Sequence, residues 1–223
     1  MNTIYKTIKR NGLKALALGL LLTGSGWVKA QLSGTYTIGS GGSFSTFSSF
    51  ASTFNSVGVS GPVTLNMISS TSEFSRVILY QHWSWPTTST NKVTINGNGY
   101  TVSYSGFSSA PEVFLLDGAD YFSFSSMTIR NTGTSSNIMG VRFTNNADNN
   151  RISSCNIEFS NYNSFVTSGG GAYVAFSNST SLSNLSGASF SGGNGSFNVI
   201  INNLMRTTNF NSPGPFAGIF EVQ

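Results

Sequence analysis

Charge is the first thing missing from this chain. Asp, Glu, Lys and Arg together make up 8% of 223 residues, so solubility has to come from hydroxyl and amide side chains rather than from ions. A single cysteine excludes an intramolecular disulfide framework, and a single histidine with no cysteine near it excludes the usual zinc-ligand spacings. The helix formers Glu, Lys, Gln and Ala are scarce. Ser, Thr and Asn abound instead, with 25 glycines and 18 phenylalanines, which is the composition of an all-β protein with many turns.

The formal net charge of +4 would suggest an anionic partner, but its source is local. Lys6, Lys9, Arg10, Lys14 and Lys29 flank the apolar run "ALALGLLL", no acid accompanies them, and small residues lead up to Ala30. This pattern reads as a secretory signal peptide over residues 1–30, with cleavage near Ala30/Gln31; the run is too short to span a membrane. Without it, six cations face seven acids over 193 residues, and no basic patch remains to argue for nucleic acid. The remaining length suits one domain. The expected location is extracellular, secreted or on the cell surface, with no membrane span after signal cleavage.

A repeat organises what is present. "VFLLDGADYFSFSSMTIR" (Val113 to Arg130) lies over "VRFTNNADNNRISSCNIE" (Val141 to Glu158) at a gapless offset of 28, with Val113/Val141, Ala119/Ala147, Asp120/Asp148, Ser125/Ser153, Ser126/Ser154 and Ile129/Ile157 identical. A third copy, "NVIINNLM", places Asn198, Ile200, Asn203 and Met205 where Asn150, Ile152, Cys155 and Ile157 stand, at an offset of 48. A second strand type alternates with the first: "GVRF" from Gly140, "AYVAF" from Ala172 and "AGIF" from Ala217. A strand that recurs after a long detour cannot pair with its predecessor as a hairpin. It can stack on it in parallel, coil upon coil at roughly 4.8 Å, with alternate side chains inward. Met127, Cys155 and Asn203 would then form one column, and Ile129, Ile157 and Met205 another.

With its Asn-x-Ile-x-x-Asn/Cys-x-Ile pattern at Asn150 to Ile157 and Asn198 to Met205, and the strand-turn-strand "VTINGNGYTV" from Val93, the chain resembles the right-handed parallel β-helix, or pectin-lyase-like, family. The expected fold is therefore an all-β, right-handed parallel β-helix with a short N-terminal capping helix: a cap over 31–60 and coils over 61–223. "TFSSFASTF" puts Phe47, Phe50, Ala51 and Phe54 on one helical stripe with Gly58 to end it, and "GPVTLNMI" reads as a strand opened by Pro62 at an edge. The opening "SGTYTIG" through "GVSGPVT" is similar to that of secreted bacterial surface proteins with β-helical repeats, the cargo of type IX secretion; in that comparison Glu73 takes the place of a frequent acidic residue of the first coil. "GPFAGIFEVQ" lacks a polar closing element, so the coils are expected to be truncated at the C-terminus, as in a fragment of a longer protein.

Few residues remain for chemistry. Asp120 and Asp148, one coil apart, either share a calcium ion, the one cofactor the sequence suggests, or shape equivalent turns through their own backbone. Arg130, Glu158 and Arg206 align outward as an ion-pair ladder of exposed pairs, each adding about 0.2–1 kcal/mol; a catalytic Arg130 is the alternative. Tyr80, His82, Trp83 and Trp85, in "YQHWSWP", either stack on sugar faces or cover the junction of cap and coils. Cys155, inward, reads as a buried inert thiol. Asn178, Asn184 and Asn194 begin glycosylation sequons, read as incidental loop composition.

What the resemblance implies about catalysis finds little material. The polygalacturonase-like clustered aspartates, Gly-His-Gly and Arg-x-Lys are missing, with "RIS" at Arg151 lacking the lysine. The pectinesterase-like glutamines reduce to Gln81 outside the termini, and a lyase-like base would have to be Lys92, the one lysine after the leader. The function expected is a non-catalytic secreted scaffold or adhesin segment, binding extracellular polysaccharide or glycan through loops at 80–90, 159–171 and 178–195. The alternative is a polysaccharide-active pectin lyase- or esterase-like enzyme, or a degenerate relative, using Asp120, Asp148 and Arg130.

Overall fold

The computed structural model describes residues 30–135, 137–160, 171–177, 195–208 and 217–221. The leader through Lys29, the three sequon asparagines and most of the loops 159–171 and 178–195 lie outside the described residues.

Strand β1 (Leu32–Ile38) and helix α1 (Phe47–Val57) come first. Among the described residues fifteen strands then follow in strict rotation among three sheets. Sheet A holds β1, β2 (Val59–Met67), β5 (Val93–Asn96), β8 (Phe122–Ser125), β11 (Arg151–Ser153) and β14 (Val199–Ile201). Sheet B holds β3 (Thr71–Ser72), β6 (Thr101–Tyr104), β9 (Thr128–Asn131), β12 (Asn156–Phe159) and β15 (Leu204–Thr207). Sheet C holds β4 (Val77–Tyr80), β7 (Glu112–Asp117), β10 (Met139–Thr144), β13 (Ala172–Phe176) and β16 (Ala217–Glu221). Among the described residues all the pairings between these strands are parallel, so the chain is a parallel β-solenoid of about five coils.

The inward columns follow the sequence register. Ile129, Ile157 and Met205 pair directly, and the Cys155 amide donates to Asn203 Oδ1 at 2.8 Å. Phe122, Phe124, Ile152 and Ile157 have no exposure, and Cys155 has 1%. Burying each such aliphatic or aromatic side chain stabilises by about 1.5–3 kcal/mol, which the alternate small polar residues outside do not need to match.

The corners are columns too. Asn98, Ser126, Ser154 and Asn202 have φ between 52° and 55° at the bend from sheet A to sheet B, and Tyr121, Asn149 and Phe197 have φ of 56°–57° ahead of sheet A. The short polar residues interleaved with the isoleucines are thus placed by left-handed backbone, which Asn tolerates better than most residues. At the bend from sheet B to sheet C the fully buried Asn131 uses its whole amide. Oδ1 accepts from Gly106 N and Gly133 N, each at 3.0 Å, and Nδ2 donates to Pro111 O and Met139 O, each at 2.7 Å.

Two sequence readings need correction. The 28-residue repeat is not gapless: Val141 pairs with Phe114, 27 residues back and not with Val113, whereas Ile152 pairs with Phe124, 28 back. The extra residue sits in the turn, where Gly118 alone (φ 65°) is matched by Asn145 and Asn146 (φ 52° and 59°). Pro62 does not open a strand: it stands inside β2, in the stretch where the register against β1 jumps between Leu32 and Gly34 and one residue before the pairing with β5 begins at Val63, so neither neighbour calls on its missing N–H.

Helix α1 forms where expected. Thr46 caps it, accepting from Ser49 N while Ser49 Oγ closes a reciprocal box, and Gly58 at φ 64° ends it. Its stripe packs into the coils, Phe47 edge-on to Phe114 and Phe54 edge-on to Phe122, ring centres 5.2 Å apart in both pairs. Buried Glu73 anchors it: Oε1 accepts from Phe47 N at 3.0 Å, and Oε2 from Ser48 N at 2.9 Å and Ser48 Oγ at 2.6 Å. A carboxylate there meets both the unpaired N–H groups and the positive end of the helix dipole.

Candidate glycan-binding corner

Tyr80, His82, Trp83, Trp85, Asp120 and Asp148 all fall at the corner where each coil turns from sheet C into sheet A, whereas Arg130 does not. After Tyr80 ends β4, residues 81–92 form this turn and the chain re-enters sheet A at Val93. Its backbone is tied down. Tyr80 N donates to Asn55 Oδ1 at 2.9 Å, Val59 N to Trp85 O at 3.1 Å, and Val63 N to Lys92 O at 2.9 Å. His82 Nδ1 accepts from Trp85 N at 3.0 Å and from Ser84 N at 3.3 Å, which makes this nitrogen the unprotonated one and fixes the ring as part of the turn.

That turn packs against the C-terminal end of α1: a side chain at Gly58 would run into Trp85 O and Cβ and His82 Cγ. The loop thus does cover the junction of cap and coils, but with backbone and imidazole rather than with the large rings. Trp83 is 92% exposed, Trp85 47% and Tyr80 45%, and the His82 and Trp83 rings run nearly parallel, 17° apart with centres at 6.4 Å.

Gln81 joins this loop to the next coil. Its amide bridges Thr87, through Thr87 Oγ1 at 2.7 Å and Thr87 O at 3.1 Å, and reaches Asp120 Oδ2 at 3.4 Å. Asp120 Oδ1 accepts from Asp148 N at 2.7 Å, and Asp148 Oδ1 in turn from Ser196 N of the coil after. Each aspartate therefore holds the backbone of the following turn. Burial pushes the Asp120 carboxyl above its ordinary range; the N–H of Asp148 pulls it back, and the charge of Asp148 adds to the rise. Among the described residues no group of three or more His, Cys, Asp or Glu side chains is placed to hold a metal ion.

Arg130 lies on another face, outward on sheet B. Its Nε is 2.6 Å from Glu158 Oε1, while Arg206 reaches Glu158 Oε2 through Nε at 3.0 Å and Nη2 at 2.9 Å. The ladder forms as read, but its pairs are not simply exposed: the Glu158 side chain has 1% exposure between two half-exposed arginines. Losing both partners would strand a buried carboxylate, a costlier event than breaking a surface pair.

A second such cluster escaped the sequence reading. Glu112 Oε1 is 2.7 Å from Arg76 Nη1 and 3.2 Å from Arg142 Nη2, with Glu112 and Arg142 both buried. Glu112 lies one residue before the repeat as aligned, and Arg142 reads as a variable position within "GVRF". Only the pairing of β7 with β10 unites them. Cys155 is buried and bonds Ser153 O at 3.4 Å; burial raises its thiol above the usual range, which disfavours the reactive thiolate.

No family model matches the chain, and neither does any curated protein or solved structure. Among the described residues no helix is long and apolar enough to cross a membrane.

Proposed function

We propose that this chain is a secreted, non-catalytic β-solenoid scaffold or adhesin segment, of the pectin-lyase-like kind found in type IX secretion cargo, that binds extracellular glycan at the corner carrying Tyr80, His82, Trp83 and Trp85. The observation that carries this reading is the Trp83 ring, almost wholly exposed on a turn whose backbone is pinned at both ends. A flexible loop would let a large indole fold back onto apolar surface. This one holds it in water, ready to stack on the apolar face of a sugar at little cost in ordering. On the coils beyond, Asp117 is in register with Tyr80, Asn145 bonds Asp117, and Asp120 bonds Gln81, so polar groups continue from the turn along the corner.

Affinity electrophoresis in gels containing soluble glycans tests the proposal. Retardation by at least one glycan is expected, weakened tenfold or more by W83A and W85A without change in melting temperature. Equal retardation of wild type and both variants removes the corner from the reading. Incubation with pectin and related uronans tests the non-catalytic part: release of unsaturated or reducing ends, lost in D120A or D148A, establishes the enzymatic alternative instead. N-terminal sequencing of the exported protein should begin at Gln31.

A further inference from the structure

The outward face of sheet A is absorbed neither by the corner nor by the ion-pair ladders. Strand alternation turns Val63, Leu65, Val93, Ile95, Phe122 and Phe124 inward and leaves two outward columns. One runs Thr35, Thr64, Thr94, Ser123; the other Thr37, Asn66, Asn96, Ser125. Partners within a column lie one strand apart, roughly 4.8 Å, and the columns are two residues apart, roughly 6.6 Å. Within these columns the first charge appears on the fifth strand, at Arg151; exposed Lys92 stands at their margin, two residues before Thr94.

The columns differ in what they leave open. In the second, Asn96 Nδ2 donates to Asn66 Oδ1 at 2.8 Å and Ser125 Oγ to Ile95 O at 3.1 Å, so the side chains are held in a ladder. In the first, among the described residues, no hydrogen bond engages the hydroxyl of Thr64, Thr94 or Ser123. A row of three hydroxyls beside a hydrogen-bonded amide ladder, with no charge in either column over four strands, offers donors and acceptors at a fixed repeat.

We infer that this face is a second binding surface, whose occupant is a neutral polysaccharide lying flat across the strands. A uronan would meet one cation at the margin, Lys92 ahead of β5, and none within the columns until Arg151. A surface of ordered water, the other repeating hydroxyl lattice, calls for one residue type throughout and gains nothing from aromatic rings, whereas these columns mix amides with hydroxyls and begin beside the aromatic turn, which is bonded to β2 through Val59 and Val63. The inference takes glycan as the ligand, as the corner reading does, but it stands on different residues and fails separately.

The test is retention of the purified protein on insoluble microcrystalline cellulose, chitin and a neutral β-glucan, with insoluble polygalacturonate and an ice-growth assay as the contrasting arms. Retention on at least one neutral polymer is expected, reduced tenfold or more in T64V/T94V/S123A and in the blocking variant T94K, with unchanged melting. W83A/W85A should reduce soluble-glycan binding more than retention. Loss of retention in W83A/W85A alone, with T64V/T94V/S123A and T94K bound as wild type, keeps the corner and overturns the face. The converse keeps the face and overturns the corner. No retention on any neutral polymer, retention on polygalacturonate only, or ice-growth inhibition without retention likewise overturns the face.

Discussion

Replacing Glu73 with glutamine puts the anchoring of helix α1 to a quantitative test. The carboxylate is 5% exposed and takes three donors, two on Oε2 and one on Oε1. In E73Q the amide oxygen keeps both Ser48 donors and turns its NH2 group against the Phe47 N–H, leaving that buried donor unsatisfied at about 1–3 kcal/mol. The retained bonds lose their charge-assisted strength, and the favourable contact with the helix dipole, about 0.3–1 kcal/mol, goes with the charge. Together these give about 2–4 kcal/mol. For a folded unit of this size each kcal/mol moves the melting temperature by about 2–4 °C, so E73Q should melt roughly 5–15 °C below wild type. Scanning calorimetry at neutral pH measures this, and hydrogen exchange should quicken first in residues 47–57. Melting within 1 °C of wild type, with unchanged exchange in α1, would refute the anchoring role.

Asn131→Asp should cost about 3–6 kcal/mol by denaturant titration, because the carbonyls of Pro111 and Met139 lose their donors at a fully buried site; a loss below 1 kcal/mol contradicts the four-bond assignment. Phe197→Asn should raise stability by about 0.5–1 kcal/mol, since Asn149 fits the same left-handed position one coil earlier and Phe197, 82% exposed, has little packing to lose; destabilisation counts against the strain argument. Asp120 makes a pH prediction. Its folded carboxyl titrates above the ordinary 3.8, so its contribution is complete below that value and is lost as pH rises through the raised folded value. The stability of wild type relative to D120N should therefore decline across that window, and an increase would show that the hydrogen bond from Asp148 N outweighs burial.

The aligned repeat carried a large share of the architecture. Ile152, Cys155 and Ile157 recur as inward residues because a parallel coil stacks equivalent positions, and the phenylalanine spacing from Phe47 to Phe54 places the capping helix for the same reason of periodicity. The alignment erred where periodicity carries no information. A turn absorbs one residue more or less at no cost to the strands, which is why Gly118 against Asn145 and Asn146 slipped the register by one. The candidate corner was half legible: "YQHWSWP" marked the aromatic residues, and Asp120 with Asp148 marked the turn, but as separate features.

What the sequence by itself determined is what repeats along the chain: strand class, parallel stacking, inward columns, the helix stripe and the near-absence of ionisable groups for chemistry. What only the tertiary structure decided is what lies side by side across coils at unequal separations. Gln81 meets Asp120, Glu73 meets the start of α1, and Glu112 meets Arg76 and Arg142, each from contacts 25 to 39 residues apart. Such pairs are set by the lengths of the intervening turns, and turn length, which costs only loop-closure entropy, leaves no periodic trace in the residues themselves.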